Sequence, residues 1–284
     1  MMNNKIEKAI VLGGGGSFAI SWELGYLYGL FENGVDVRDA DRMIGTSSGS
    51  PAAAVFASDL SWKEILHGQI DLRHDEQVPL SDMSALFERY AKIAKESENP
   101  QAWMENYRTL ALEPNRIDED TNLSRIKKRI NLTEWTKNLY VTATSAETAQ
   151  RVVFDATSNV DLHKAITASS SLPGVWPAIT IKGQKYYDGG CHSMDNADVA
   201  KNADQILVLS PSLPVDTPYK PEDDLKELRA SGARVLVVKP SEEVRTAFKE
   251  LGGNTVDTRI RPILEKMAKK QGLQEAKKIK EFWK

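Results

Sequence analysis

Apolar positions along the chain fall into two alternating kinds. "KAIVL" (8–12) is a short run with glycines after it, the pattern of a buried strand. "ISWELGYLYGLFENGV" follows, with Ile20, Leu24, Leu27 and Phe31 at helical spacing and Gly34 as a stop. "RMIG" (42–45) predicts a second strand, and "SPAAAVFASDL" a helix with Pro51 in its first turn. The chain therefore opens as strand, glycine-rich loop, helix, strand, tight turn, helix.

Residues 60–131 change character and read as helices joined by acidic connections. Strands return at "NLYVTATS" (138–145), "RVVFD" (151–155) and "ITIKGQKYYDGG" (179–190). "DQILVLSPS" (204–212) and "ARVLVVKPS" (233–241) are two more buried-strand runs, with "DDLKELRA" as a helix between them. Strands alternating with helices imply an α/β fold with a mostly parallel sheet covered on both faces. The pattern predicts one domain over 1–284, with a helical insertion at 71–131 and helices at 255–284.

Composition narrows the classes. The chain has 284 residues, 41% apolar and 27% charged, an ordinary globular balance. A net charge of −3 argues against a nucleic-acid binder driven by overall charge. The single cysteine, Cys191, excludes an intrachain disulfide. No apolar run reaches the roughly 18 residues of a spanning helix. The N-terminal apolar stretch is cut by four glycines, unlike a signal peptide. These features predict a cytoplasmic protein.

Three stretches carry candidate chemistry: "LGGGGS" (12–17), "GTSSGS" (45–50) and "DGG" (188–190). Gly45-x-Ser47-x-Gly49 has the spacing of a nucleophile elbow, which holds a serine on a tight strand-to-helix turn with its hydroxyl exposed. Ser48 falls one place off that register. The glycine loop can turn several backbone amides toward one point, as an oxyanion requires. The same loop, Gly13 to Gly16, also fits a dinucleotide fingerprint through Gly14-x-Gly16-x-x-Ala19, with Asp36 to Asp41 near the ribose-binding distance. It contains no G-K-[ST], so it is not a P-loop.

A serine needs a base. His67, His74, His163 and His192 are the four histidines. A Ser47, Asp188, His192 order can be written, but an α/β-hydrolase elbow normally follows several strands, and Ser47 follows the second. Asp188 stands at a strand end before two glycines. No Cys/His/carboxylate cluster has metal-ligand spacing, and neither a metal nor a cofactor is expected.

Together the stretches "IVLGGGGSFAISWELGYLYGL", "GTSSGS", "ASSSLPGVWPAI" and "YYDGGCHSMDNADVA" resemble the patatin-like phospholipase family, over much of residues 8–200. The resemblance implies a three-layer α/β sandwich and a serine lipid acyl hydrolase. It implies a Ser-Asp dyad without histidine: Ser47 as nucleophile and Asp188 as base. It assigns Gly14, Gly15 and Gly16, with Ser48 beside the nucleophile, to the oxyanion hole, and Gly45 and Gly49 to the elbow. The implied partner is a lipid or small acyl ester. Many members follow the glycines with a basic residue; here Ser17-Phe18-Ala19 stands there. A nucleotide-dependent oxidoreductase and a non-catalytic lipid-binding member are the alternatives.

Two further expectations concern access. Leu80, Met83, Leu86, Phe87, Trp103 and Met104 anchor an insertion read as a lid over the acyl pocket. Residues 255–284 hold nine Lys/Arg against four Asp/Glu. Their apolar stripe, broken at Gly272 and ending at Trp283, either packs on the domain or makes transient contact with an anionic membrane surface.

Overall fold

The computed structural model describes residues 7–71, 83–211 and 219–284. Within them an eight-stranded sheet runs β5-β6-β3-β2-β1-β7-β8, with β4 also paired to β3. Its strands are β1 (Lys8–Leu12), β2 (Arg42–Thr46), β3 (Leu139–Ser145), β4 (Arg151–Phe154), β5 (Ile179–Ile181), β6 (Gln184–Asp188), β7 (Gln205–Leu209) and β8 (Arg234–Val238). β1 is parallel to β2 and β7, β2 to β3, and β7 to β8. β4, β5 and β6 add antiparallel pairs. The fold is α/β with a mostly parallel sheet, as the alternating pattern predicts.

The strand period of two builds both faces. Ile10, Leu12, Leu207 and Leu209 enter the large core with α1 (Gly16–Glu32), α2 (Gly49–Phe56), α7 (Leu162–Ser169) and α10 (Arg261–Trp283). Ala9, Val11, Ile206 and Val208 point the other way, onto Leu225 and Leu228 of α8 (Pro221–Ala230). The region after α2 holds α3 (Trp62–Leu66), a single π-helical turn (His67–Asp71), α4 (Met83–Glu96), α5 (Pro100–Ala111) and α6 (Glu119–Arg129). Leu80 and His74 lie outside the described residues. α9 (Glu242–Glu250) joins β8 to the C-terminal segment.

Three element predictions need correction. The 179–190 run is a hairpin, not one strand: Lys182 and Gly183 both take positive φ (50° and 80°), a two-residue turn between β5 and β6. The first helix begins at Gly16, four residues before Ile20, because the loop turns straight into it. The C-terminal region is one 23-residue helix preceded by a 3-10 turn, and Gly272 does not break it. A Cβ at Gly272 would lie 2.1 Å from the Tyr26 carbonyl, so this glycine serves close packing of α10 on α1. Leu264, Ala268, Ala276, Ile279 and Trp283 are buried there, so the stripe packs on the domain. No helix among the described residues is long and apolar enough to cross a membrane.

Candidate active site

The strand register explains why two distant segments meet. Val141 and Thr142 of β3 pair with both β2 and β4, and Ala143 and Thr144 pair with both β4 and β6. A strand has two edges, so β2 and β6 share the edge opposite β4. They approach head to head, with Thr46 opposite Thr142 and Asp188 opposite Ala143. Ser47 leaves the end of β2 where Asp188 ends β6.

Ser47 has φ of 52°, a left-handed conformation costly for a residue with a Cβ. The turn is held by neighbours. Ser50 N–H and Oγ both donate to the Ser47 carbonyl, at 3.0 and 2.7 Å. Ser47 N–H donates to Ser169 Oγ, 3.0 Å. Gly49 must be glycine, since a Cβ there would sit 2.2 Å from the Leu12 carbonyl. That contact lets the elbow press against β1 and the glycine loop.

In this pose Ser47 Oγ donates to Asp188 Oδ2 at 2.8 Å. Asp188 Oδ1 accepts from Gly190 N–H, also at 2.8 Å. The carboxyl is 2% exposed, and burial raises it from its ordinary value to about 7. The Gly190 amide, the Ser47 hydroxyl and the charge of Arg125 act in the opposite direction. A carboxyl poised near neutrality and bonded to a serine hydroxyl has the geometry and basicity to take that proton.

The histidines are elsewhere. His192 lies against the Tyr219 ring, 4.3 Å between centroids, and burial lowers it to about 4. His67 is exposed beside Asp71, and His163 Nε2 contacts the Ile130 carbonyl. Both Asp188 oxygens are engaged without His192. The Cys191 thiol is buried and pushed up by burial and then by Asp188, so it is a poor nucleophile.

The glycine loop divides. Gly13 N–H donates to the Leu209 carbonyl (3.1 Å) and Gly14 N–H to the Met194 carbonyl (2.8 Å). Gly14 thus spends the amide expected for the oxyanion hole, and serves by lying against Ser47 instead: a Cβ there would be 3.0 Å from Ser47 Cβ. Gly15 and Gly16 take positive φ (151° and 62°) where the loop enters α1. Among the described residues, the amides of Gly15, Gly16 and Ser48 donate to no acceptor, and all three residues line the same cavity as Ser47. Two helix N-termini, of α1 and α2, open there.

Sequence reasoning missed Asn196. It is fully buried with φ of 49°. Its amide donates to the Ser193 carbonyl (2.6 Å), the Thr46 hydroxyl (3.1 Å) and the Gly189 carbonyl (3.2 Å). It ties the residue before Ser47 to the residue after Asp188. "MDNAD" carries no local signal for this beyond the tolerance of asparagine for a left-handed backbone.

Asp36 to Asp41 precede β2, at the start of the parallel strands, whereas the glycine loop follows β1. The four residue steps of β1 separate them by roughly 13 Å. Asp36 binds Arg38, and Asp41 accepts from Lys8 N–H. The dinucleotide arrangement, with an acid beside the glycine loop, is not formed. Among the described residues no three metal-ligating side chains cluster.

A cavity of about 1010 Å³ opens over Ser47 and Asp188. Phe18, Ile20, Phe87, Trp176 and Phe248 give it apolar walls. Leu172 and Trp176 bring the "SSSLPGVWPAI" segment into that lining. Of the insertion's anchors, Trp103 Nε1 donates to the Cys191 carbonyl, and Tyr90 of α4 donates to the Pro173 carbonyl.

A parallel α/β sheet, a serine on a strained strand-to-helix turn and an apolar cavity above it define a lipid acyl hydrolase in broad class. The family model for patatin-like phospholipase matches residues 10–201, and the chain belongs to that family. No curated protein matches it. Among solved structures it is similar to VipD from Legionella pneumophila, with 13% identity and a TM-score of 0.46, over 96% of this chain and 67% of that one. It is similar also to the type III effector protein ExoU, with 15% identity and a TM-score of 0.44, over 96% of this chain and 53% of that one.

Proposed function

We propose that the protein cleaves acyl esters through an acyl-enzyme on Ser47, with Asp188 as general base. The 2.8 Å bond from Ser47 Oγ to Asp188 Oδ2 carries this reading. Ser47 Oγ attacks the ester carbonyl and passes its proton to Asp188. The carbonyl oxygen gains negative charge facing the Gly15, Gly16 and Ser48 amides. On collapse the alcohol leaves, taking the proton from Asp188, and the acyl group stays on Ser47. Water then gives a proton to Asp188 and attacks the acyl carbonyl. The fatty acid departs as Ser47 recovers its proton.

Chromogenic esters of graded chain length test this. Ser47→Ala should abolish turnover in a folded protein, while Ser48→Ala, which keeps the backbone amide, should retain part of it. Full turnover by Ser47→Ala would exclude the assignment. The walls of the cavity favour chains long enough to reach Phe87 and Phe248.

A further inference from the structure

The cavity over Ser47 is wide, but one side chain crosses its floor beside Asp188. Met194 lines the cavity and is half-buried. Its thioether lies in a groove made by two glycines. A Cβ at Gly14 would come within 3.3 Å of Met194 Cε and 3.0 Å of Ser47 Cβ. A Cβ at Gly190 would come within 3.3 Å of Met194 Sδ and 3.0 Å of Asp188 Oδ1. The same thioether therefore neighbours both members of the dyad. Its backbone is fixed: the Met194 carbonyl accepts from Gly14 N–H at 2.8 Å, and Asn196, two residues on, is bonded to Thr46, Gly189 and Ser193. The side chain takes no part in the hydrophobic cores of the described residues. Its place serves the cavity rather than the packing of the fold.

The reaction gives that place a consequence. When the tetrahedral intermediate collapses, the bond from the carbonyl carbon to the ester oxygen breaks, and its electron pair stays on that oxygen. The oxygen takes the proton that Asp188 received from Ser47, so it must come within hydrogen-bond reach of the Asp188 carboxyl. Asp188 Oδ1 is bonded to Gly190 N–H, and Met194 Sδ borders the carboxyl on the Gly190 side. The first carbon of the leaving alcohol therefore passes the thioether. A carbon with one carbon substituent can turn it up into the open cavity. A carbon with two must aim one of them at Met194 or at the dyad itself.

We propose that Met194 sets leaving-group specificity, so that the enzyme takes acyl esters of primary hydroxyls, such as the end positions of a glycerol backbone, in preference to esters of secondary hydroxyls, such as its middle position. The inference rests on the reading of Ser47 as acyl acceptor and of Asp188 as proton donor to the alcohol.

The test gives the full chain two isomeric esters, n-butyl and sec-butyl octanoate, below their solubility limits. Each kcat/KM is divided by that ester's rate of alkaline hydrolysis, which removes intrinsic reactivity. The wild type should favour the n-butyl ester by about tenfold or more, the range that one misplaced methylene reaches in an apolar pocket. Met194→Ala should raise sec-butyl turnover and cut the ratio by about threefold or more. Met194→Leu, of similar volume, should keep it. Both esters yield the same octanoyl-enzyme, so Met194→Ala should act on acylation and leave deacylation alone; a merely structural role would slow both steps and both esters together. Equal or better normalised turnover of the sec-butyl ester by the wild type would overturn the proposal, and that comparison holds even where a variant fails to fold. A proportionate loss on both esters in a folded Met194→Ala protein would overturn it as well. If neither ester is cleaved and no fluorophosphonate labels Ser47, the acyl-hydrolase reading itself has failed.

Discussion

Asp188 does its work through burial. Its carboxyl stands at about 7, so half of it is ionised near neutrality. As a general base it must be deprotonated, so kcat/KM on a non-ionising ester should rise with pH through about 7 and level off above. A flat profile from pH 5 to 9 would remove Asp188 from the rate equation. Asp188→Asn should lose about 10²–10⁴ in rate. His192→Ala should keep most of its activity, because His192 touches neither Ser47 nor Asp188; a collapse in a folded His192→Ala protein would point to a triad. At this scale the sequence is legible only in part. Gly45, Ser47 and Gly49 announce a turn because their roles depend on local spacing. Nothing local brings Asp188 to Ser47 across 141 residues; the family resemblance, not spacing, joins them. Asn196 is silent because its role depends on Thr46 and Thr142, which lie 150 and 54 residues away in the chain.

The elements hold these residues by close approach. Gly49→Ala should disable the elbow, since a Cβ 2.2 Å from the Leu12 carbonyl forces α2 away from β1. Loss of fluorophosphonate labelling with unchanged far-ultraviolet circular dichroism is the expected result. Strands β1, β2, β7 and β8 were readable because short apolar runs bounded by turns have few other readings. The β5–β6 hairpin was not, because β5 has three residues and its turn is set by Lys182 and Gly183 alone. The continuity of α10 through Gly272 was hidden for a different reason: glycine reads as a helix stop, yet here it lets α1 approach. Insertion helix α4 lines the cavity with Phe87, Tyr90, Ala91 and Ala94, and Phe87 is 46% exposed. We propose that α4 acts as the lid. A covalent acyl-like inhibitor should then slow hydrogen exchange in α4, and unchanged exchange there would leave it a fixed wall.

Across the whole molecule, burial of acids costs stability as pH rises. Burial lifts Asp188 and Asp224 to about 7 and Asp195 to about 6, and raises Glu23 as well. Each group's folded pKa lies above its unfolded value, so the stability it lends is complete below the unfolded pKa and lost as pH rises through the folded one. His192, lowered to about 4, works the other way, but its contribution is complete above its unfolded value of 6.5. Between pH 6.5 and 8 the carboxylates therefore dominate. The unfolding midpoint should fall across that window, and Asp188→Asn should fall less. A midpoint that rises instead would contradict the burial of these acids. α10 also belongs to this scale. It covers α1 along its length, and Trp283 Nε1 donates to Asp39 at 2.6 Å. A chain ending at Gly253 should fail to fold rather than merely lose a tail.

The account stands or falls on which atom accepts the acyl group. A fluorophosphonate forms a stable adduct with an activated serine, and peptide mass spectrometry locates it. The adduct should map to Ser47 in the wild type, vanish in Ser47→Ala, form far more slowly in Asp188→Asn, and persist in Ser48→Ala. An adduct on Ser48 or any other residue, or undiminished labelling of Ser47→Ala, would contradict the account.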